Sequence, residues 1–85
     1  MKMTDEQRIR AAGFVPNPTD GTWDRGVSDE FDLVLEQAED DPYGEWWLTL
    51  AGYKDAPRME FAGRLRQCLD VARKFARLFD ERRLP

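Results

Sequence analysis

Two periodicities divide the chain. From Phe31 to Glu36 apolar and polar positions alternate: Phe31, Leu33 and Leu35 fall on one side, Asp32, Val34 and Glu36 on the other. Alternation at period two is the signature of a half-buried strand. Glu45 to Ala51 repeats it, with Trp46, Leu48 and Leu50 sharing one face and Trp47, Thr49 and Ala51 the other. Thr22 to Val27 reads as an earlier strand with Trp23 inward. From Arg64 to about Arg82 the period changes. Leu65, Cys68, Leu69, Ala72, Phe75, Ala76 and Phe79 form an apolar stripe at helical spacing, opposite Arg66, Asp70, Arg73 and Arg77.

Local signals set the ends of these elements. Thr4 followed three residues later by Gln7 is a capping-box pattern, and Asp5 and Glu6 suit the positive end of a helix dipole. Gly13 suits a left-handed C-terminal cap, which places a first helix at about residues 5–12. Asn17 to Gly21 is turn chemistry, and Asp41-Pro42-Tyr43-Gly44 is a type I turn signal. Residues 58–62 are compatible with a fourth strand closed by Gly63 or with an early start of the last helix. A glycine inside a helix costs about 1 kcal/mol relative to Ala, which favours the strand. The predicted fold class is therefore α+β, in a single domain over residues 1–85. A short N-terminal helix precedes a three- or four-stranded antiparallel sheet, and a long C-terminal helix packs on one sheet face. Trp23, Phe31, Leu33, Leu35, Trp46, Leu48 and Leu50 should face the helices. Asp32, Val34, Glu36, Glu45, Trp47 and Thr49 should face solvent.

Composition narrows the chemistry. Of 85 residues, 41% are apolar and 12% aromatic, which is globular rather than disordered composition. There is no histidine and one cysteine, Cys68. The commonest general base and metal ligand is missing, and no intramolecular disulfide can form. No apolar run resembles a signal peptide or a membrane span, so the expected setting is the cytoplasm of a bacterial host. Glu39-Asp40-Asp41 lacks EF-hand spacing, and Ser28 lacks a nucleophile-elbow context. Cys68 lies on the helix stripe, where it reads as core. No catalytic residue, metal site or cofactor is expected, and the chain reads as a non-enzyme.

Charge is segregated. Residues 1–45 carry twelve carboxylates and four bases, a net of −8, and residues 46–85 net +4. Between Asp20 and Glu45 there are ten carboxylates and one base, Arg25. Mixed signs are the usual solubilising pattern, so such a block points to a basic partner. Carboxylates two apart on a strand stand ~6.8 Å apart on one face. DNA carries one charge per ~3.4 Å of axis per strand, so acidic rows of this kind suit a nucleic-acid channel. Trp47, exposed among these acids, reads as an interface anchor.

The order helix, three strands, helix resembles that of double-stranded-RNA-binding domains. Those domains carry a Lys-rich cluster where this chain has Arg64-Leu65-Arg66, and the strands before it here are acidic; direct nucleic-acid binding is not expected. In overall character the chain resembles small phage- or mobile-element-encoded inhibitors of the anti-CRISPR type. The likeness rests on the acidic block 20–45, on Trp23, Trp46 and Trp47 interleaved with it, on the missing Cys pairs and His, and on the length. It implies a DNA-mimicking or channel-blocking inhibitor of a CRISPR effector complex. The net charge of −4 and the basic last helix depart from a pure DNA mimic and allow a specific protein–protein block. The expected partner surface is Asp32, Glu36, Glu39, Asp40, Asp41, Tyr43, Glu45 and Trp47. The partner is a basic nucleic-acid-binding protein complex, no membrane is involved, and a monomer is expected ahead of a homodimer. The alternative is a phage structural or adaptor module, or a small homodimer, using the C-terminal helix through Leu78, Phe79 and Val71.

Overall fold

The structure is a computed structural model that describes residues 2–38, 44–52 and 59–83, with side chains described as far as residue 80. Helix α1 (Asp5–Ala11) opens on a complete capping box. The Gln7 backbone N–H donates to Thr4 Oγ1 at 3.1 Å, and the Thr4 N–H donates to Gln7 Oε1 at 2.8 Å. Gly13 ends the helix at φ +92°, a conformation that other residues adopt only with strain. Phe14 then turns back so that its N–H donates to the Ile9 carbonyl, and both side chains are buried.

Five strands follow: β1 (Val15–Asn17), β2 (Thr22–Gly26), β3 (Phe31–Gln37), β4 (Glu45–Gly52) and β5 (Met59–Arg64). They form one antiparallel meander in chain order, β1-β2-β3-β4-β5. Helix α2 (Leu65–Arg83) leaves β5 without a loop and packs over β4 and β5. The α+β expectation is thus met, with residues 59–64 as strand. Strand β1 is additional to the three or four strands expected: Val15, Pro16 and Asn17 pair with Asp24, Trp23 and Thr22. Proline is tolerated there because β1 is the sheet edge.

Register separates the two faces. Trp23, Leu35, Leu48 and Phe61 lie side by side across four strands, as do Arg25, Leu33, Leu50 and Met59. These belong to the inner face, covered by the helices. Ile9, Phe14, Leu33, Leu35, Trp46, Leu48, Leu65, Cys68, Leu69 and Ala72 form the core, with Trp23, Phe31, Leu50, Phe61, Phe75 and Phe79 packed on its margin. Phe31 and Phe79 meet at a ring separation of 5.6 Å. All seven residues expected to face the helices do so. None of the described helices is long and apolar enough to cross a membrane.

Candidate functional site: the outer face of the sheet

The side of the sheet away from the helices carries the next set of register partners. Val15, Asp24, Val34, Thr49 and Glu60 form one row. Glu36, Trp47 and Ala62 form a second, Gly26, Asp32 and Ala51 a third, and Glu45 and Arg64 a fourth. Adjacent tryptophans record the alternation: Trp46 is 7% exposed in the core and Trp47 is 48% exposed on the outer face.

The carboxylates on this face differ in what they touch. Asp24 is half-buried and committed, accepting from Asn17 Nδ2 at 2.9 Å and from Thr22 Oγ1 at 3.3 Å. Asn17 also donates to Asp20 Oδ2 and accepts from the Thr19 and Asp20 backbone, so the β1–β2 turn is a closed polar unit. Asp32, Glu36 and Glu60 are exposed and make no ion pair among the described residues. Glu45 is half-buried at the start of β4. Between the exposed acids stand Val34, Thr49 and Trp47, and beside Trp47 an open groove of about 310 Å³ runs along Thr49, Glu60, Phe61 and Ala62. The arrangement is an apolar centre with an acidic rim, the anatomy of a protein-binding surface.

Arg25, the one base within the acidic block, does not neutralise this face. It occupies the inner face opposite Leu33 and reaches the end of α1, where its guanidinium donates to the Ala12 carbonyl and lies under Gly13. Arg64, the register partner of Glu45, is an exposed base on this face, and other bases gather elsewhere. Arg8, Arg66 and Arg73 line an open cleft of about 430 Å³ between α1 and α2, with Asp70 and Leu69. The molecule therefore has a sheet face on which Asp32, Glu36, Glu45 and Glu60 outnumber Arg64, and a helical side that gathers Arg8, Arg66 and Arg73.

Of the residues expected at the partner surface, the fold brings Asp32, Glu36, Glu45 and Trp47 to one face. Glu39, Asp40, Asp41 and Tyr43 lie outside the described residues, in the connection between β3 and β4. Sequence reasoning missed Asp24, Glu60 and Ala62 on that face. Glu60 and Ala62 alternate with Phe61, a signal that becomes usable once residues 59–64 are read as strand. Cys68 is fully buried, and its Sγ donates to the Trp46 carbonyl at 3.5 Å and towards Gly63 O at 3.8 Å. Burial pushes the thiol above its ordinary value of 9.0; the Gly63 hydrogen bond opposes the rise and the Glu45 charge adds to it. A buried, protonated thiol is packing material, not a nucleophile. Among the described residues no group of three or more Cys, Asp or Glu is placed to hold a metal ion.

No protein-family model matches the chain, no curated protein matches it, and no solved structure matches its fold.

Proposed function

We propose that the chain is a non-enzymatic inhibitor that docks its acidic sheet face on the basic surface of a nucleic-acid-handling complex. The resemblance in overall character makes a CRISPR effector the complex to test first. The observation that carries the reading is the outer face itself: Asp32, Glu36 and Glu60 exposed around Trp47 and Val34, with the block's only base turned to the other side.

The spacing of charge favours a specific contact over a general imitation of DNA. On β3 the outward order is Asp32, Val34, Glu36. The two carboxylates are four residues apart, about 14 Å along the strand, twice the spacing of a continuous acidic row. A partner arginine can lie on the Trp47 ring with its guanidinium towards Glu36, the register neighbour of Trp47. Asp32 and Glu60 then steer the approach and rim the contact. Glu39, Asp40, Asp41 and Tyr43 fall in the sequence between the strands that carry Glu36 and Glu45.

The test is capture from a bacterial lysate at low salt, with wild type and an Asp32→Asn/Glu36→Gln/Glu60→Gln variant as parallel baits. The expected result is that wild type alone retains a DNA- or RNA-binding complex, which duplex DNA displaces. Identical proteins on both baits, or captured proteins that DNA leaves in place, would overturn the reading.

A further inference from the structure

The two edges of the sheet are unequal. Strand β1 is three residues long and contains Pro16, both of which discourage a further strand. Strand β5 has six residues, Met59-Glu60-Phe61-Ala62-Gly63-Arg64, with no proline, and among the described residues no strand lies beyond it.

The direction of the β5 backbone groups follows from the ladder. In an antiparallel sheet a residue points its N–H and C=O to the same side, and successive residues alternate. The Ala38 N–H donates to the Glu45 carbonyl, so the odd residues of β4 face β3. The even residues Trp46, Leu48 and Leu50 then face β5, bonded to Gly63, Phe61 and Met59. Glu60, Ala62 and Arg64 are left directed off the edge. Arg64 agrees: its N–H is taken by Gln67 Oε1 at 3.0 Å instead of by β4.

We propose that β5 pairs antiparallel with β5 of a second copy, with the two-fold axis at Ala62. This is a different contact from the helix-mediated homodimer and departs from the monomer expected from sequence. Ala62 would exchange both backbone bonds with its counterpart. Glu60 would donate its N–H to the partner's Arg64 carbonyl, leaving the Arg64 N–H on Gln67. Side chains choose this register. It sets Glu60 against Arg64 twice across the axis, where a register centred on Glu60 would oppose two carboxylates. Smallest of the outward residues at the centre, Ala62 meets itself.

The second layer fits the same axis. A groove of about 290 Å³ runs between the β5 edge and α2, lined by Met59, Phe61, Val71, Phe75 and Leu78 together with Glu60 and Lys74, with Met59 43% and Leu78 53% exposed. Helix α2 lies over β4 and β5. With strands ~4.8 Å apart, a helix above that seam is about 5 Å from the axis and about 10 Å from its mate, a normal helix–helix distance. The two grooves would close on each other in an isologous contact. On the far side, the pairing would join the two acidic faces, with Trp47, Ala62, Ala62 and Trp47 in one row.

Sedimentation equilibrium on the intact chain tests the pairing. Wild type should reach about 20 kDa, twice the 9.9 kDa of one chain. Ala62→Pro removes an N–H that is directed away from β4 and taken by no other described residue, and should give 9.9 kDa with an unchanged circular dichroism spectrum. Glu60→Arg alone and Arg64→Glu alone should each be monomeric. Mixed one to one they should dimerise, because every cross-axis pair is then opposite in sign. Amide exchange adds an independent reading: Glu60 and Ala62 should gain protection with concentration, while Phe61 and Gly63 are protected throughout. A wild type that stays monomeric to about 1 mM overturns the proposal, as does a dimer that ignores both Ala62→Pro and Glu60→Arg. Should Ala62→Pro fail to fold, the mixing experiment decides alone, and failure to dimerise on mixing counts against the pairing. None of these measurements involves an outside partner, so their outcome is separate from that of the inhibitor reading.

Discussion

At the scale of single residues, position in the alternation decides what a chemically notable group does. Arg25 is the only base in the acidic block, and its inward register turns it into a tie between β2 and the end of α1. The sequence shows the charge imbalance but not which way that one compensating charge points. Cys68 is the opposite case: its place on the helical stripe reads correctly as core, and the structure adds a cause for its inertness. Its thiol is held above 9.0 by burial. The folded state thus resists losing this proton more than the unfolded chain does. The associated stability is fully present below the unfolded thiol value and is lost as pH rises through the folded value. The urea midpoint of wild type should therefore fall relative to Cys68→Ala as pH is raised from about 8 to above 9. Groups common to both proteins cancel in that difference. A constant difference across the range would mean that the thiol is ionised as readily folded as unfolded.

At the scale of elements, what was legible is what repeats. Strands β3 and β4 carry several turns of alternation each, and α2 several turns of stripe, so pattern alone locates them and their inner faces. Strand β1 has three residues, two of them exposed, and its pairing partner is set by the turn at Asn17–Gly21; nothing in its own pattern announces it. The β5–α2 junction was ambiguous because the apolar positions run on from Phe61 at helical spacing. The structure resolves it at Gly63 and Arg64. Gln67 reaches back one turn to hold the Arg64 N–H, half of a capping box, and it does so across the space where Gly63 has no side chain. A Cβ on Gly63 would stand 2.7 Å from Gln67 Oε1 and 3.1 Å from the Phe61 ring. Gly63→Ala should cost about 1 kcal/mol, the usual size of a lost helix cap. Gln67→Ala should cost a similar amount for the same reason, and the double variant clearly less than the two together. Equilibrium unfolding of the four proteins checks this, and full additivity would show that Gly63 is needed for something other than room for Gln67.

At the scale of the whole molecule, the charge asymmetry visible in the sequence becomes two poles. Asp32, Glu36 and Glu60 stand on the outer sheet face, while Arg66, Arg73 and Arg77 stand on exposed positions of α2, which covers the other face. The smallest principal extent is 22 Å, about two screening lengths in 0.1 M salt, so an approaching charge responds to one pole at a time. A short arginine-rich peptide is a sufficient probe of this division. In a heteronuclear NMR titration at about 0.1 M salt, its shifts should fall on Asp32, Val34, Glu36, Thr49, Glu60 and the Trp47 indole. Residues 66–77 should stay unmoved. At about 1 M salt, where screening is complete within ~3 Å, the charge-driven part should vanish. Trp47→Ala should weaken the residual contact, and Glu36→Gln the steering that precedes it, because rim charges act chiefly on association and buried anchors on dissociation. Shifts spread evenly over both poles, or insensitive to salt, would mean that the acidic face is a solvated surface with no preference for cationic partners.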